Sequence, residues 1–247
     1  MSENHKDEIF LSIVIPAYNE DSRIANTLVK IRDYLDRQDY LSEIIVVSDG
    51  CTDSTDLCAT ESLKNWPHFR LLSRVENKGK GYSVREGILH SRGQLILFTD
   101  ADLSTPIEEL DNFLPLADEF AVLIGSRALP ESNIQVRQSF FREYMGKTFN
   151  LFVQLLVLRG IRDTQCGFKL FHKQSALDIF SRIHLKGFGF DVEALFVTKK
   201  LGYSIKQLPV VWRNSPESHV HVFSSSLDMF KDLFRIKSLH KSLRKKI

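Results

Sequence analysis

The sequence predicts an α/β domain built on a mainly parallel sheet with helices on both faces. Three observations predict it. Apolar runs of strand length at residues 11–15, 44–47 and 95–99 alternate with stretches whose apolar residues recur at helical spacing. These runs are near-continuously apolar, as strands buried on both faces are. Each run also gives way to a polar turn motif, and in open sheets of this kind ligands bind beyond the carboxyl ends of the strands.

Taken in order, L-S-I-V-I at 11–15 closes on Pro16 and reads as a buried strand. Ile24, Leu28, Ile31 and Leu35 are spaced four, three and four, which draws one face of a helix. A second strand at 44–47 runs into the turn-rich S-D-G-C-T-D-S-T of 48–55. A helix through Leu63 and a strand near 69–72 follow, and N-K-G-K-G at 77–81 opens a helix reaching about Ser91. The strand at 95–99 ends directly in Asp100, and another at 121–126 ends near Arg127. Beyond it the pattern predicts a helix over 137–158, a loop entering a strand over 163–171, a helix over 191–201, a strand over 204–211 and a helix from Leu227. The motifs P-A-Y-N-E, S-D-G-C-T-D, D-A-D and G-S-R all follow strands, so they should converge on one rim.

The 247 residues suit one large domain, expected over 1–215, with a basic amphipathic segment at 216–247 packed on it or at a membrane surface. A net charge of +2 argues against a general nucleic-acid binder. The charge is uneven: residues 228–247 hold seven Lys/Arg against Asp228 and Asp232, which points to an anionic surface as partner of the tail. Met229, Phe230, Leu233, Phe234, Ile236 and Leu239 recur there near helical spacing, as in helices that lie in the headgroup region of a membrane. Docking of that helix on the core, with a solvated basic face, is the alternative. No apolar run reaches the roughly 20 residues that span a bilayer, and residues 1–8 lack a signal-peptide core. Cys51, Cys58 and Cys166 show no metal-ligand spacing, and their odd number argues for reduced thiols in a cytosolic protein.

Asp100 and Asp102 flank the small Ala101 at a strand end, a spacing at which two carboxylates can share a hard divalent cation. Such an ion would neutralise a diphosphate leaving group. A solvated turn is the plain alternative for an isolated D-x-D. The N-K-G-K-G segment places two cations and two glycines at a helix start, where backbone N–H groups favour anions. The P-loop pattern is absent, and no G-x-G-x-x-G follows the first strand.

P-A-Y-N-E at 16–20, D-G-C-T-D at 49–53, N-K-G-K-G at 77–81, D-A-D-L-S-T-P at 100–106 and G-S-R at 125–127 together resemble the inverting glycosyltransferases of family two, with the Rossmann-like GT-A fold. Arg142, Asn150, D-T-Q-C-G-F-K at 163–169 and F-D-V-E at 190–193 resemble its polyprenyl-phosphate branch. D-T-Q-C-G-F-K-L-F is closer to dolichyl-phosphate β-glucosyltransferases than to mannose synthases. The resemblance implies transfer of a hexose, glucose from UDP-glucose, to a polyprenyl phosphate such as dolichyl or undecaprenyl phosphate. The enzyme would be peripheral on the cytoplasmic face of a membrane. It implies a nucleotide-sugar site of Pro16, Ala17, Tyr18, Glu20, Asp49, Lys80, Asp100, Ala101 and Arg213. Mg²⁺ or Mn²⁺ would sit on Asp100 and Asp102, the acceptor phosphate on Arg127 and Arg142, and Asp191 would join Asp102 in catalysis, with helix capping as the alternative for Asp191. Two positions depart from the family: Ser48 stands where an acid is common, and Ser104 where mannose synthases place a glutamine ligand. A soluble family-two enzyme with a saccharide or cell-envelope acceptor, a mannose synthase using GDP-mannose, and a binding module without turnover remain alternatives. A sugar-phosphate nucleotidyltransferase would need a Gly- and Arg-rich loop after the first strand, and P-A-Y-N-E has neither.

Overall fold

The computed structural model describes residues 8–136, 140–214 and 222–243. Its first half alternates as expected: β1 (Leu11–Ala17), α1 (Ile24–Leu35), β2 (Ser42–Asp49), α2 (Thr55–Ser62), β3 (Phe69–Arg74), α3 (Lys80–Leu89) and β4 (Leu95–Thr99). Short helical turns including α4 (Leu110–Phe113) lead to β5 (Val122–Ser126), then β6 (Asn133–Val136), α5 (Phe140–Leu156), β7 (Phe168–His172) and α6 (Lys173–Phe180). The chain continues through α7 (Phe190–Leu201), β8 (Ile205–Pro209), β9 (Val211–Arg213) and α8 (Val222–Leu239).

Seven strands form one sheet in the order β3-β2-β1-β4-β7-β5-β8. Both faces are covered, which is why the strands are apolar without alternation. Ile13, Ile15, Ile44, Val46 and Leu97 pack with α1 on one side. Val14, Ile45, Val47, Ile96 and Phe98 pack with α3, α6, α7 and α8 on the other. The four residues spaced along α1 are all buried.

One strand breaks the parallel pattern, and it matters most for the site. β7 runs antiparallel to both β4 and β5, pairing Phe168 with Thr99. An antiparallel strand delivers its preceding loop, rather than its following one, to the carboxyl rim of its neighbours. The 163–167 loop therefore enters beside Asp100.

The single strand expected over 204–211 is two. β8 ends at Pro209, which has no N–H with which to extend a ladder. β9 then turns away to pair with β6 in a separate two-stranded sheet. Strand β6 and helix α6 were not legible in the sequence; β6 is four residues long and mostly exposed. The helix predicted over 137–158 is described from Phe140, and the boundary proposed at 215/216 falls outside the described residues. In α8, Leu233 and Ile236 are buried in the core whereas Phe234 is 68% exposed.

Candidate active site

The carboxyl rim is built from loops that hold one another. Asp100, Ala101 and Asp102 leave the fully buried β4. Ala101 O accepts from Thr27 Oγ1 at 2.6 Å, and Asp102 Oδ1 accepts from Ser104 N at 2.9 Å. Leu103 adopts a positive φ of 44°, which a leucine takes only when its surroundings impose it. Gly167 lies so close that a Cβ there would meet Asp100 Oδ2 at 1.9 Å. That glycine is what lets the carboxylate occupy its place.

Lys80 reaches Asp100 Oδ1 at 2.8 Å from the first turn of α3. Burial works against its charge, but Asp100, with Asp191 and Asp102 beyond, holds its pKa above the ordinary lysine value. The approach depends on Gly79 and Gly81. Gly79 has φ +96°, and side chains at these positions would strike Lys186 O and Phe190 Cβ within 2.6 Å. Beyond this ion pair, Asp100 Oδ1 accepts no other hydrogen bond among the described residues.

Asp49 sits at the end of β2 with its carboxylate turned into the N-K-G-K-G loop. It accepts from Lys78 N and Gly79 N at 2.8 Å each and pairs with Arg74. Its observed work is to shape the loop that carries Lys80. Pro16 and Ala17 end β1, and Tyr18 beyond them is 43% exposed, an open ring on which a base can stack. Asn19, with φ 53°, accepts from Thr52 N at 2.9 Å, and Glu20 N donates to Thr55 Oγ1 at 2.7 Å. The first two strand-end loops are thus laced together. The Glu20 carboxylate pairs with Arg23.

On the other side of the rim, Arg127 grips Asp163 through Nε at 2.7 Å and Nη2 at 2.9 Å, and its guanidinium lies 5.5 Å above the Trp212 ring. Burial opposes ionisation of Asp163, yet Arg127 holds its pKa down at about 2. The Arg127 fork expected to receive a phosphate is therefore anchored by a carboxylate. The Arg142 side chain lies outside the described residues. Arg213 N donates to Ser104 O at 2.8 Å, which fixes β9 to the loop after Asp102, while its guanidinium donates to Gln135. Asp191 stands in the first turn of α7, 4% exposed. The expected capping alternative does not apply: the helix starts at Gly189 without a side-chain cap, and the Asp191 carboxylate accepts from the buried Lys169. Burial pushes its pKa above the usual carboxylate range, against the pull of Lys169 and Lys80.

Residues 12–180 match the sequence profile of glycosyl transferase family 2. The chain belongs to that family. It is 36% identical over 96% of its length to dolichyl-phosphate beta-glucosyltransferase from Dictyostelium discoideum, covering 76% of that protein. It is likewise 36% identical over 92% of its length to dolichyl-phosphate beta-glucosyltransferase from Homo sapiens, covering 74% of it. Among solved structures it is similar to glucosyl-3-phosphoglycerate synthase from Mycobacterium tuberculosis in complex with Mn²⁺, UDP and glucosyl-3-phosphoglycerate. That likeness has a TM-score of 0.68 at 19% identity, over 95% of this chain and 82% of the other, and it extends the family assignment to the fold.

The residues present fit a family 2 metal site. Asp100 Oδ1, which faces Lys80, and the neighbouring Asp102 are hard oxygen donors of the kind Mg²⁺ and Mn²⁺ take. Among the described residues no third His, Cys, Asp or Glu joins them. Arg74 escaped the sequence reasoning, and Asp163 and Lys169, the ends of the D-T-Q-C-G-F-K motif, were given no role by it. Lys169 had a usable signal, since a lysine inside the apolar F-K-L-F run needs a buried anion to face.

Proposed function

We propose that this family 2 member transfers glucose from UDP-glucose to a polyprenyl phosphate with inversion, α-linked donor giving β-linked product. The observation that carries the reading is its likeness along nearly the whole chain to dolichyl-phosphate beta-glucosyltransferases. The site geometry agrees with it: acidic and basic groups alternate along the carboxyl rim between a base-stacking ring, Tyr18, and an arginine-bearing acceptor side.

In this reading Tyr18, Ala17 and Pro16 face the nucleoside and Asp49 orders the phosphate-side loop. Lys80 exchanges its Asp100 contact for the diphosphate. Asp100 and Asp102 would hold Mg²⁺ or Mn²⁺, which offsets the charge of the departing UDP. The acceptor phosphate has a second pKa near 6, so at neutral pH it is mostly dianionic and requires positioning rather than deprotonation. Its oxygen forms the new bond to the anomeric carbon as the C–O bond to the diphosphate breaks, and UDP leaves with the electron pair. Arg127, stiffened by Asp163, and Arg142 supply cationic forks for that phosphate. Ser104, which replaces the glutamine of mannose synthases, favours glucose over mannose.

No helix among the described residues is long and apolar enough to cross a membrane. Approach to a lipid substrate falls to α5 and α8, which expose Leu151, Phe152, Leu155 and Phe234, beside the cations Lys231, Arg235, Lys237 and Lys241. Residues 1–215 form the catalytic unit in this reading, and the tail contacts the cytoplasmic face of an anionic membrane. Purified protein incubated with UDP-glucose, Mg²⁺ and dolichyl phosphate should form a glucosyl lipid, with none formed in EDTA. Transfer to saccharides alone, with several polyprenyl phosphates refused, would overturn the assignment.

A further inference from the structure

Lys169 is 1% exposed, on the strand that runs against its neighbours. Its ammonium donates to Cys166 O at 2.6 Å and to Asp191 Oδ1. Phe98 lies between two cations, with Lys169 Nζ and Lys80 Nζ each 5.6 Å from its ring centre. A buried ion pair is a weak device for stability, because apolar residues of similar volume often serve as well or better. In the F-K-L-F run an apolar side chain would suit the core. What only a cation supplies there is a counter-charge for Asp191.

The groups bearing on Asp191 are Lys169 from β7, Lys80 from α3 and Asp100 from the end of β4. Burial and Asp100 disfavour the carboxylate; the two lysines favour it. Lys80, however, is engaged by Asp100, and in the proposed reaction it turns to the diphosphate. Lys169 has no such second task, so it is the cation that remains with Asp191 once donor is bound. Through Cys166 O it also braces the loop whose Asp163 grips Arg127.

We propose that Lys169 is a positioning residue for the transfer: it holds Asp191 as an anion in one orientation and ties it to the loop that sets Arg127. This rests on the glycosyl-transfer reading above, with Asp191 in the catalytic role that the family resemblance implies. In the Lys169→Met variant, kcat at neutral pH falls about 10²-fold, while KM for UDP-glucose stays within about threefold of wild type. The acid limb of the kcat–pH profile moves up by at least about one unit, the scale of one nearby opposite charge. Lys169→Arg, which keeps a cation, recovers part of the rate.

The inference can also be tested without turnover. In protein labelled with ¹³C-aspartate, the Asp191 carboxyl resonance, assigned by its loss in Asp191→Asn, titrates at higher pH in Lys169→Met than in wild type. This holds even if lipid phosphate proves not to be the acceptor, so failure of the acceptor assignment and failure of this proposal are separable. An unchanged Asp191 titration and pH profile, with only a lowered melting temperature, would overturn it. If Lys169→Met does not fold, the neutral pair Lys169→Met/Asp191→Asn decides. Folding of the double variant traces the defect to an unpaired Asp191, as proposed. Its failure to fold makes Lys169 a structural strut and overturns the proposal.

Discussion

The two ends of the central sheet treat buried carboxylates in opposite ways. At the amino rim, Glu43 is 0% exposed and accepts from Ser12 Oγ at 2.6 Å, Arg92 N at 2.7 Å and Arg92 Nε at 2.9 Å. Burial alone would raise its pKa, but these bonds bring it below the ordinary glutamate value. At the carboxyl rim, Asp191 is pushed upward and Asp100 Oδ1 has only the Lys80 ion pair among the described residues. Both described non-glycine residues with positive φ, Asn19 and Leu103, also lie there. The fold satisfies Glu43 in full, whereas at the carboxyl rim it leaves Asp100 to a single cation that a ligand can claim. Unsatisfied polar atoms and backbone strain cluster at functional sites for that reason.

The sharpest way to break this contrast is to neutralise one carboxylate at each rim. Asp100→Asn should lower transfer by at least about 10²-fold, the usual loss when one charge-stabilising group is removed, with little change in melting temperature. A large drop in thermal stability on differential scanning calorimetry would show that Asp100 serves the fold as Glu43 does. Glu43→Ala should do the reverse. It removes several charge-assisted bonds, but Arg92 is half exposed and can turn to water, so the cost sits near the low end for a broken buried pair, about 3 kcal/mol. At this chain length that is a fall of roughly 10 °C, with kcat per folded molecule unchanged.

A smaller effect separates the anchored acceptor arginine from the under-satisfied donor side. Asp163 titrates at about 2 in the fold against an ordinary 3.8. A depressed carboxylate adds stability above its unfolded pKa and loses it as pH falls through the folded one. The window is therefore about pH 4 to 2, and the stake is about 2 kcal/mol. Denaturant unfolding across that range should lose about this much less stability in Asp163→Asn than in wild type. Asp191 has the opposite sign, since its raised pKa makes ionisation cost stability as pH rises past it.

The sequence made one rim legible and not the other, for a physical reason. Apolar runs, helical spacing and strand-end turns are local patterns, so β1 to β5 and the motif-bearing loops could be placed, with Asp100 and Asp102 at the head of them. Glu43, in contrast, looks like a surface acid until Ser12 and Arg92, 31 and 49 residues away, are brought to it. The partners of Asp191 and Arg127 were hidden for a related reason. They arrive on β7 (Lys169) and on the loop before it (Asp163), and the antiparallel direction of that strand is declared by no local pattern. Asp49 shows a second use that no local pattern declares: the resemblance implies a nucleotide contact, and its carboxylate also accepts from Lys78 N and Gly79 N.

The smallest expected effect extends the contrast from polar to apolar groups. Among the described residues, the large exposed apolar side chains include none from the amino-rim segments 8–12, 38–43 and 90–95, but they include Leu151, Phe152 and Leu155 on α5 and Phe234 on α8. These helices meet through Phe230, whose ring stands 5.5 Å from Phe149 and 5.3 Å from Phe152. Helix α8 also reaches the carboxyl rim: Met229 Sδ accepts from Gln165, and Asp232 lies over Gly189 at the start of α7. An apolar patch beside the acceptor side is where a lipid phosphate would be presented. Burying one phenylalanine is worth about 2 kcal/mol, so Phe234→Ser should weaken flotation with phosphatidylserine vesicles by roughly 10-fold or more. It should leave melting temperature and UDP-glucose binding unchanged. Val75→Ser, at an isolated residue 97% exposed after β3, should leave flotation as it is; equal losses in both variants would mean that vesicle binding is not localised to α5 and α8.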